Sequence, residues 1–490
     1  MRLLPRLVPD WPKLAWVADM QAGTPAVHLL HGPMVELGQD WVVEAVWAGD
    51  VTAGDFDQTE LVFGSGVRCR GEHVDFVSSG TTFDRLVHCR RGETWFVSNS
   101  LPALLAVAGL SLRDDYTQYP QDVQSIMAGL DNYARSLPVQ DGQVQVTFYR
   151  NLRWDGRELH EVPKPETVPH FPHYAEYRQF LSDTAHRLGA NMSDPSRVHR
   201  VVPLSGVSSG YDSSASAVIA REAGCKDTVT IRQSTSLWRG SDSGLPVAKA
   251  LGMTCREYNR TARQYPLEEA IWAGTGRAGV LNWTLFEYPA PVCLFFTGWH
   301  GEKMWDRVDH DHPDPFVRRD AGPLGFCEFR LIRGVIQCPV PFWAAQRNGE
   351  LKAITASPEM DPWKTQRDYD KPIARRILEE AGVPGTGFGQ IKKNTSAETV
   401  VQWPHSPASA ASFARYLRRH GLRSPPLPTV RFLRWASHID LLLGENFLRK
   451  VGLDFRLRYR MRPPGSRLLF QWANSELKSL YEKGLRVAAT

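Results

Sequence analysis

The chain has 490 residues, enough for roughly two to four domains, and its composition, 42% hydrophobic and 23% charged, is that of a soluble globular protein. No run reaches the ~18–20 apolar residues of a membrane span, and the start, Met1-Arg2-Leu3-Leu4-Pro5-Arg6, lacks the sustained apolar stretch of a secretory signal. The net charge of +5 is uneven: sixteen Lys/Arg face five Asp/Glu between Arg415 and Arg486, while the remainder holds 42 basic and 48 acidic residues.

Seven cysteines (69, 89, 225, 255, 293, 327, 338) are widely spaced, odd in number and without a C-x-x-C. That pattern argues against a disulfide framework and a structural zinc site, and for a reduced, cytoplasmic protein.

Residues 1–165 read as mostly β. Candidate strands are Ala26–Leu30, Trp41–Trp47, Glu60–Arg70, His73–Val77 and Leu86–Val97, separated by Gly-containing turns. Ser98-Asn99-Ser100 caps a helix over Leu101–Ala108. Another β-like stretch, Gly142–Arg150, precedes a polar, Pro-bearing boundary at Val162–Pro172. Tyr174–Met192 reads as an amphipathic helix. An apolar strand at Val201–Leu204, a Ser/Gly loop and an Ala-rich helix over Ala215–Ala223 follow. Thr228–Gln233 and Cys255–Tyr258 read as strands around a helix at Asp242–Leu251, and the sheet resumes at Pro291–Thr297. This βαβ rhythm predicts a parallel, doubly wound sheet with ligands at the carboxyl ends of its strands. From about Leu331 the pattern reads as helical with Pro-rich breaks.

The stretch Val198–Ala215, V-H-R-V-V-P-L-S-G-V-S-S-G-Y-D-S-S-A, carries the clearest chemistry. A strand, a small-residue loop and a helix N-terminus form an anion site: glycine lets the backbone come close, unpaired N–H groups point at the anion, and the helix dipole favours it. Asp212 in such a place would repel phosphate unless a cation lies between them, which suggests Mg²⁺ bridging Asp212 to a polyphosphate.

Leu204-Ser205-Gly206 and Ser208-Ser209-Gly210-Tyr211-Asp212-Ser213-Ser214 resemble the S-G-G-x-D-S-S pyrophosphate loop (PP-loop) of the N-type ATP pyrophosphatases, and within them the asparagine synthetase and β-lactam synthetase branch. Either Ser209 replaces the first motif glycine or Val207-Ser208-Ser209 is inserted after Gly206. Leu294-Phe295-Phe296-Thr297-Gly298-Trp299-His300-Gly301-Glu302 resembles the family's L-L-T-G-x-G-G-D-E segment, with Gly298 and Gly301 at loop glycines. Its acidic position shares the metal with the pyrophosphate-loop aspartate, so the resemblance implies Mg²⁺ on Asp212 and Glu302. Trp299, His300 and Lys303 depart from the pattern. Asp370-Lys371-Pro372, then Val383-Pro384, then Ile391-Lys392-Lys393-Asn394 resembles the run whose late lysine faces the reaction centre. Lys393 is the favoured match and Lys392 the next. Asp242 matches an aspartate before the second crossover helix, although a plain N-cap serves it as well. Gly385-Thr386-Gly387-Phe388-Gly389 follows no strand signal and reads as a flexible loop.

Asp84-Arg85-Leu86 through Leu101-Pro102-Ala103-Leu104-Leu105 resembles the end of the glutaminase domain fused to asparagine synthetases. That domain uses an N-terminal cysteine; here Arg2 stands there and the first cysteine is Cys69. No glutaminase activity is expected.

The expected architecture is therefore α/β: a degenerate glutaminase-like β-sandwich over 1–165, a doubly wound PP-loop synthetase domain over 166–410 and a basic, mainly helical extension over 411–490. The resemblance implies an ATP- and Mg²⁺-dependent ligase that activates a small-molecule or peptide carboxylate as an acyl-adenylate and passes it to an amine. Two alternatives stay open: modification of a nucleobase in RNA or DNA, and an ATP-binding scaffold without activity. The basic part, including the alternating Arg456, Arg458, Arg460 and Arg462, suits a peptide or protein partner, with nucleic acid ranked behind. The histidines 300, 310 and 312, with Asp309, Asp311 and Asp314, read as a polar loop more readily than as a metal site.

Overall fold

The structure, a computed structural model, describes residues 1–232, 241–259, 265–307, 314–318, 320–365, 369–389, 401–446 and 463–488, with backbone alone for 437–446. It is mixed α/β with three sheets. Thirteen strands come first: β1 (Arg2–Leu7), β2 (Trp16–Gln21), β3 (Ala26–His31), β4 (Glu36–Leu37), β5 (Trp41–Trp47), β6 (Val62–Arg70), β7 (His73–Val77), β8 (Leu86–Arg91), β9 (Thr94–Ser98), β10 (Ser136–Val139), β11 (Gly142–Thr147), β12 (Asn151–Trp154) and β13 (Leu159–Val162). They form a seven-stranded sheet, β1-β3-β2-β9-β8-β11-β10, and a six-stranded sheet, β13-β12-β7-β6-β5-β4. Trp16, Ala18 and Val97 of one sheet meet Val42, Val67, Phe76 and Trp154 of the other in a single apolar cluster, as in a sandwich. Leu86–Val97, expected as one strand, is a hairpin, because Gly92 takes a left-handed φ of 58° and reverses the chain. Helices α1 (Leu101–Val107) and α2 (Tyr119–Gln124) cover one end, and Ser100 caps α1 by accepting the Ala103 N–H.

After α3 (Tyr174–Ser193) the chain builds the third sheet. Its strands are β14 (Val201–Gly206), β15 (Asp227–Ile231), β16 (Thr254–Tyr258), β17 (Val292–Thr297) and β18 (Val335–Pro339). All are parallel, in the order β16-β15-β14-β17-β18. β18 corrects the expectation of purely helical structure after Leu331. Its run Val-Ile-Gln-Cys-Pro is buried throughout, as a strand covered on both faces must be. Side chains alternate between the faces: Leu294, Phe296, Ile336 and Cys338 pack toward α3, α4 (Tyr211–Glu222) and α10 (Pro372–Glu380). Leu204, Val229, Phe295 and Val335 pack toward α6 (Glu268–Thr275) and the aromatic residues after it. The remaining helices are α5 (Leu245–Ala250), α7 (Gly301–Met304), α8 (Cys327–Arg333), α9 (Asn348–Ala356), α11 (Pro407–Arg419), α12 (Leu427–Asn446) and α13 (Leu469–Val487).

Buried charges tie the sandwich to the parallel sheet. Arg330 of α8 donates to both oxygens of Glu44 (2.7 and 3.0 Å) and to Asp84 (2.6 Å), all three sealed from solvent. Glu328 accepts from the Ser100 hydroxyl (2.7 Å) and the Leu101 N–H (3.1 Å) at the start of α1. Near the other end of the chain, the Tyr481 carbonyl accepts the Trp11 indole N–H (3.1 Å). All seven cysteines are free. Among the described residues, no helix is long and apolar enough to cross a membrane.

Candidate functional site

The parallel strand order reverses direction between β14 and β17: the chain first builds outward from β14 to β16, then returns to its other side. Ligands of open parallel sheets bind at the carboxyl ends of strands at such a switch point. A cleft of about 220 Å³ opens there. A larger depression of about 900 Å³ lies at the amino ends of β14 and β15, between His186, Arg200 and Asp227. It is bordered by the C-terminal ends of α3 and α4, where the helix dipoles disfavour an anion, so the smaller cleft is the candidate site.

The chain turns from β14 into α4 through Val207–Gly210, and small side chains tie that turn down. Ser208 Oγ lies 2.7 Å from Ser213 Oγ and accepts the Gly210 N–H (3.1 Å), while Ser214 Oγ donates to the Ser208 carbonyl (2.7 Å). Ser209 faces away from the cleft. Its hydroxyl donates to Asp242 Oδ1 (2.6 Å) and its N–H to the Asp242 carbonyl (3.0 Å). Asp242 is therefore no N-cap: α5 begins three residues later, at Leu245, and its cap residue Gly244 makes no side-chain cap bond. The carboxylate clamps the turn instead, and Ser208 pairs with Ser243 in an isolated bridge. The Ala-rich helix also starts earlier than its apolar pattern implied, at Tyr211, which puts Asp212 in its first turn.

Asp212 is the centre of the arrangement. Lys371 Nζ lies 2.7 and 2.6 Å from its two oxygens, and the lysine is wholly buried whereas the aspartate side chain is 24% exposed. Two glycines of the β17–α7 loop close over it. A Cβ on Gly298 would lie 2.3 Å from the Asp212 carbonyl carbon, and one on Gly301 2.5 Å from its Cγ. Only glycine fits at either position.

Tyr369 stands beside this pair. Burial, and then the Asp212 charge, push its phenol well above the usual range, so it stays protonated. The Tyr211 ring is wedged between Tyr369 and Phe388 (centroids 5.0 and 5.6 Å), and Arg375 donates to its hydroxyl (2.6 Å). The 385–389 segment, expected to be flexible, is anchored here. Phe388 is buried, the Gly389 N–H donates to the Ser209 carbonyl (2.9 Å), and a Cβ on Gly389 would run into the Tyr211 ring at 2.3 Å.

Of the residues expected at the site, Gly206, Ser208, Gly210, Asp212, Ser213, Asp242, Gly298, Gly301 and Glu302 line the cleft. Ser205, Ser209, Tyr211 and Ser214 do not; they brace it from behind. Lys392 and Lys393 lie outside the described residues, as do Asp309, His310, Asp311 and His312. The Asp370-Lys371-Pro372 run does not by itself single out Lys371; the signal for it is that an aspartate at an expected phosphate site calls for a nearby cation. The other cleft wall is aromatic: Trp283 packs on Trp299 (5.6 Å) and edge-on to Phe295 (5.1 Å), with Phe286 beside them. His300 is held at a left-handed φ of 75° and donates from Nε2 to the Pro315 carbonyl (3.0 Å). Burial, with Arg318 and Lys303 nearby, pushes its imidazole down to about 3. It is neutral at pH 7, a wall of the cleft rather than a base.

Mg²⁺ takes one or two carboxylates and completes its shell with water and phosphate oxygens. Asp212 and Glu302 offer that hard-oxygen set on one cleft, so the residues present fit such an ion. Its approach would require Asp212 to be shared with, or released by, Lys371. Among the described residues no cluster of three or more ligating side chains exists. Compared with known protein families and with curated proteins, the sequence matches none.

Proposed function

We propose that the cleft binds ATP, with the triphosphate at the N-terminus of α4 and the base against the Trp283–Trp299 wall. On this reading the chain is an ATP-dependent carbon–nitrogen ligase of the PP-loop type, similar to the asparagine synthetases. The observation that carries it is the Asp212–Lys371 pair, set at the switch point of a parallel sheet and roofed by Gly298 and Gly301. The close packing of Gly298 and Gly301 on Asp212 and Ser213 fixes the first turn of α4, on which the polyphosphate is proposed to lie. An aspartate with its own fixed cation suits a place where negative charge arrives and leaves.

In the reaction, a carboxylate oxygen of the substrate attacks the α-phosphorus of ATP, the bond to the β-phosphate oxygen breaks, and pyrophosphate departs. The amine nitrogen then attacks the acyl carbon, loses a proton and expels AMP. The protein contributes positioning and preorganised charge. First-turn N–H groups of α4 face the phosphates, and Ser208 and Ser213 supply hydroxyl donors. Lys371, buried against Asp212, is proposed to hold that carboxylate in place and to offset negative charge as pyrophosphate forms. Mg²⁺, held by Asp212 and Glu302, would neutralise phosphate oxygens. Lys393, or Lys392, is proposed to face the acyl carbon in the second step. Nitrogen is proposed to come from a substrate amine or free ammonia. ATP as substrate and seven free cysteines suit a reducing, cytoplasmic location.

Calorimetric titration with α,β-methylene-ATP and Mg²⁺ tests the site. Wild type should bind at one site and Asp212→Asn at least tenfold more weakly. Equal binding by both would remove the cleft from consideration.

A further inference from the structure

Residues 401–439 contain six arginines and no Asp or Glu. Arg434 turns inward and donates to the Trp403 and Pro404 carbonyls (3.0 Å each). Arg415, Arg418, Arg419, Arg423 and Arg431 are exposed, and among the described residues none of the five has a hydrogen-bond or ion-pair partner. The first three share one face of α11, at spacings of three and four. Arg431 opens the exposed side of α12, where Phe432 and Trp435 are each 61% exposed. Their rings lie 6.0 Å apart and 35° from parallel.

Two features of α11 and α12, which follow one another in the chain, suit a common partner. Five unpaired guanidinium groups repel one another until anions arrive, although the chain outside the basic part carries an acidic excess it could have used to pair them. Two neighbouring large aromatic rings in water also forgo about as much burial as any side chains can. Phosphates at regular spacing answer the first, and planar bases answer the second. A duplex hides its base faces in the stack, and an acidic polypeptide brings carboxylates but no bases. We propose that the α11–α12 surface binds single-stranded nucleic acid, with the arginines on the phosphates and Phe432 and Trp435 stacked on bases. This goes beyond the reading of the ATP cleft and does not depend on it.

The test is fluorescence anisotropy of labelled 20-nucleotide oligo(dT) and oligo(U) with the full chain from 50 to 200 mM salt. Five phosphate contacts on a single strand give a log–log salt slope of roughly −3.5, so affinity should fall on the order of 100-fold over that range. Replacing Arg415, Arg418 and Arg419 together by Gln should flatten the slope by about 2. Phe432→Ala and Trp435→Ala should each weaken binding by roughly five- to 150-fold with the slope unchanged, and Trp435→Phe should recover most of the loss. These side chains are exposed, and an unchanged circular dichroism melt confirms that the variants fold. Binding of either oligonucleotide with these signatures supports the proposal. No binding at 50 mM salt overturns it. So does competition by a 20-residue poly-glutamate as effective as by unlabelled oligonucleotide, with the aromatic variants binding like wild type. That result would assign the surface to an acidic polypeptide.

Discussion

Breaking the Asp212–Lys371 pair from its two sides should have unequal consequences. Lys371 is sealed from solvent, whereas Asp212 is 24% exposed. Asp212→Asn therefore leaves a buried ammonium facing a neutral amide, and removing one partner of a buried pair costs about 3–5 kcal/mol. The Tyr369 ring, 5.8 Å from Nζ, offsets little of this. Lys371→Met leaves a carboxylate that water can reach, at a cost of about 1–3 kcal/mol. The double variant removes both charges and should recover much of the loss, with a coupling energy of about 2 kcal/mol or more. Urea unfolding of all four proteins gives these values, with the midpoint read at constant slope. If the proposed phosphate role holds, ATP turnover should split from stability: the double variant regains its fold and stays inactive. If Lys371→Met is the more damaging change, or the two losses add within ~0.5 kcal/mol, the pair does not work as described. If the double variant turns over ATP, its role is structural only.

Gly298→Ala and Gly301→Ala should each cost about 1–3 kcal/mol of stability by overpacking. Each should also weaken α,β-methylene-ATP binding in calorimetry, because the added methyl meets Asp212 at 2.3 or 2.5 Å. Arg330→Met should lose about 3–5 kcal/mol in urea unfolding, since Glu44 and Asp84 remain buried without their shared cation. Burial and Arg434 push the His405 imidazole down to about 3. The native state keeps it neutral while the unfolded chain takes up a proton near pH 6.5, so its contribution is lost as pH falls from about 6.5 toward 3. The loss is about 2 kcal/mol by pH 5. His405→Asn should show a correspondingly smaller drop in urea midpoint between pH 7.5 and 5.

Short runs rich in β-branched and aromatic residues were legible at both ends: Trp41–Trp47 and His73–Val77 coincide with β5 and β7. β1 is hard to read because it is a largely exposed edge strand with Pro5 in its middle, a residue that argues against a strand. β18 escaped notice because Val335–Pro339 follows α8 after a single glycine and carries a buried Gln337. At the site, the strand–turn–helix layout from Val201 to Glu222 was readable because an apolar run, small turn residues and an Ala-rich run follow one another directly. The Asp212–Lys371 pair, 159 residues apart, was not, since no local spacing encodes a contact made by tertiary packing. Asp242 shows the same limit. Its place before a helix suggested a cap, but a partner 33 residues earlier, Ser209, claims its side chain.

As proposed, this cleft holds ATP for cleavage between the α- and β-phosphates. Incubating the purified chain with Mg²⁺, a mixture of carboxylates and amines, and ATP labelled at the α-phosphate, then separating the products, tests it most directly. Labelled AMP, with pyrophosphate in equal amount, is expected, and both should be lost in Asp212→Asn. Labelled ADP with free phosphate, or AMP formation that survives Asp212→Asn, would contradict it.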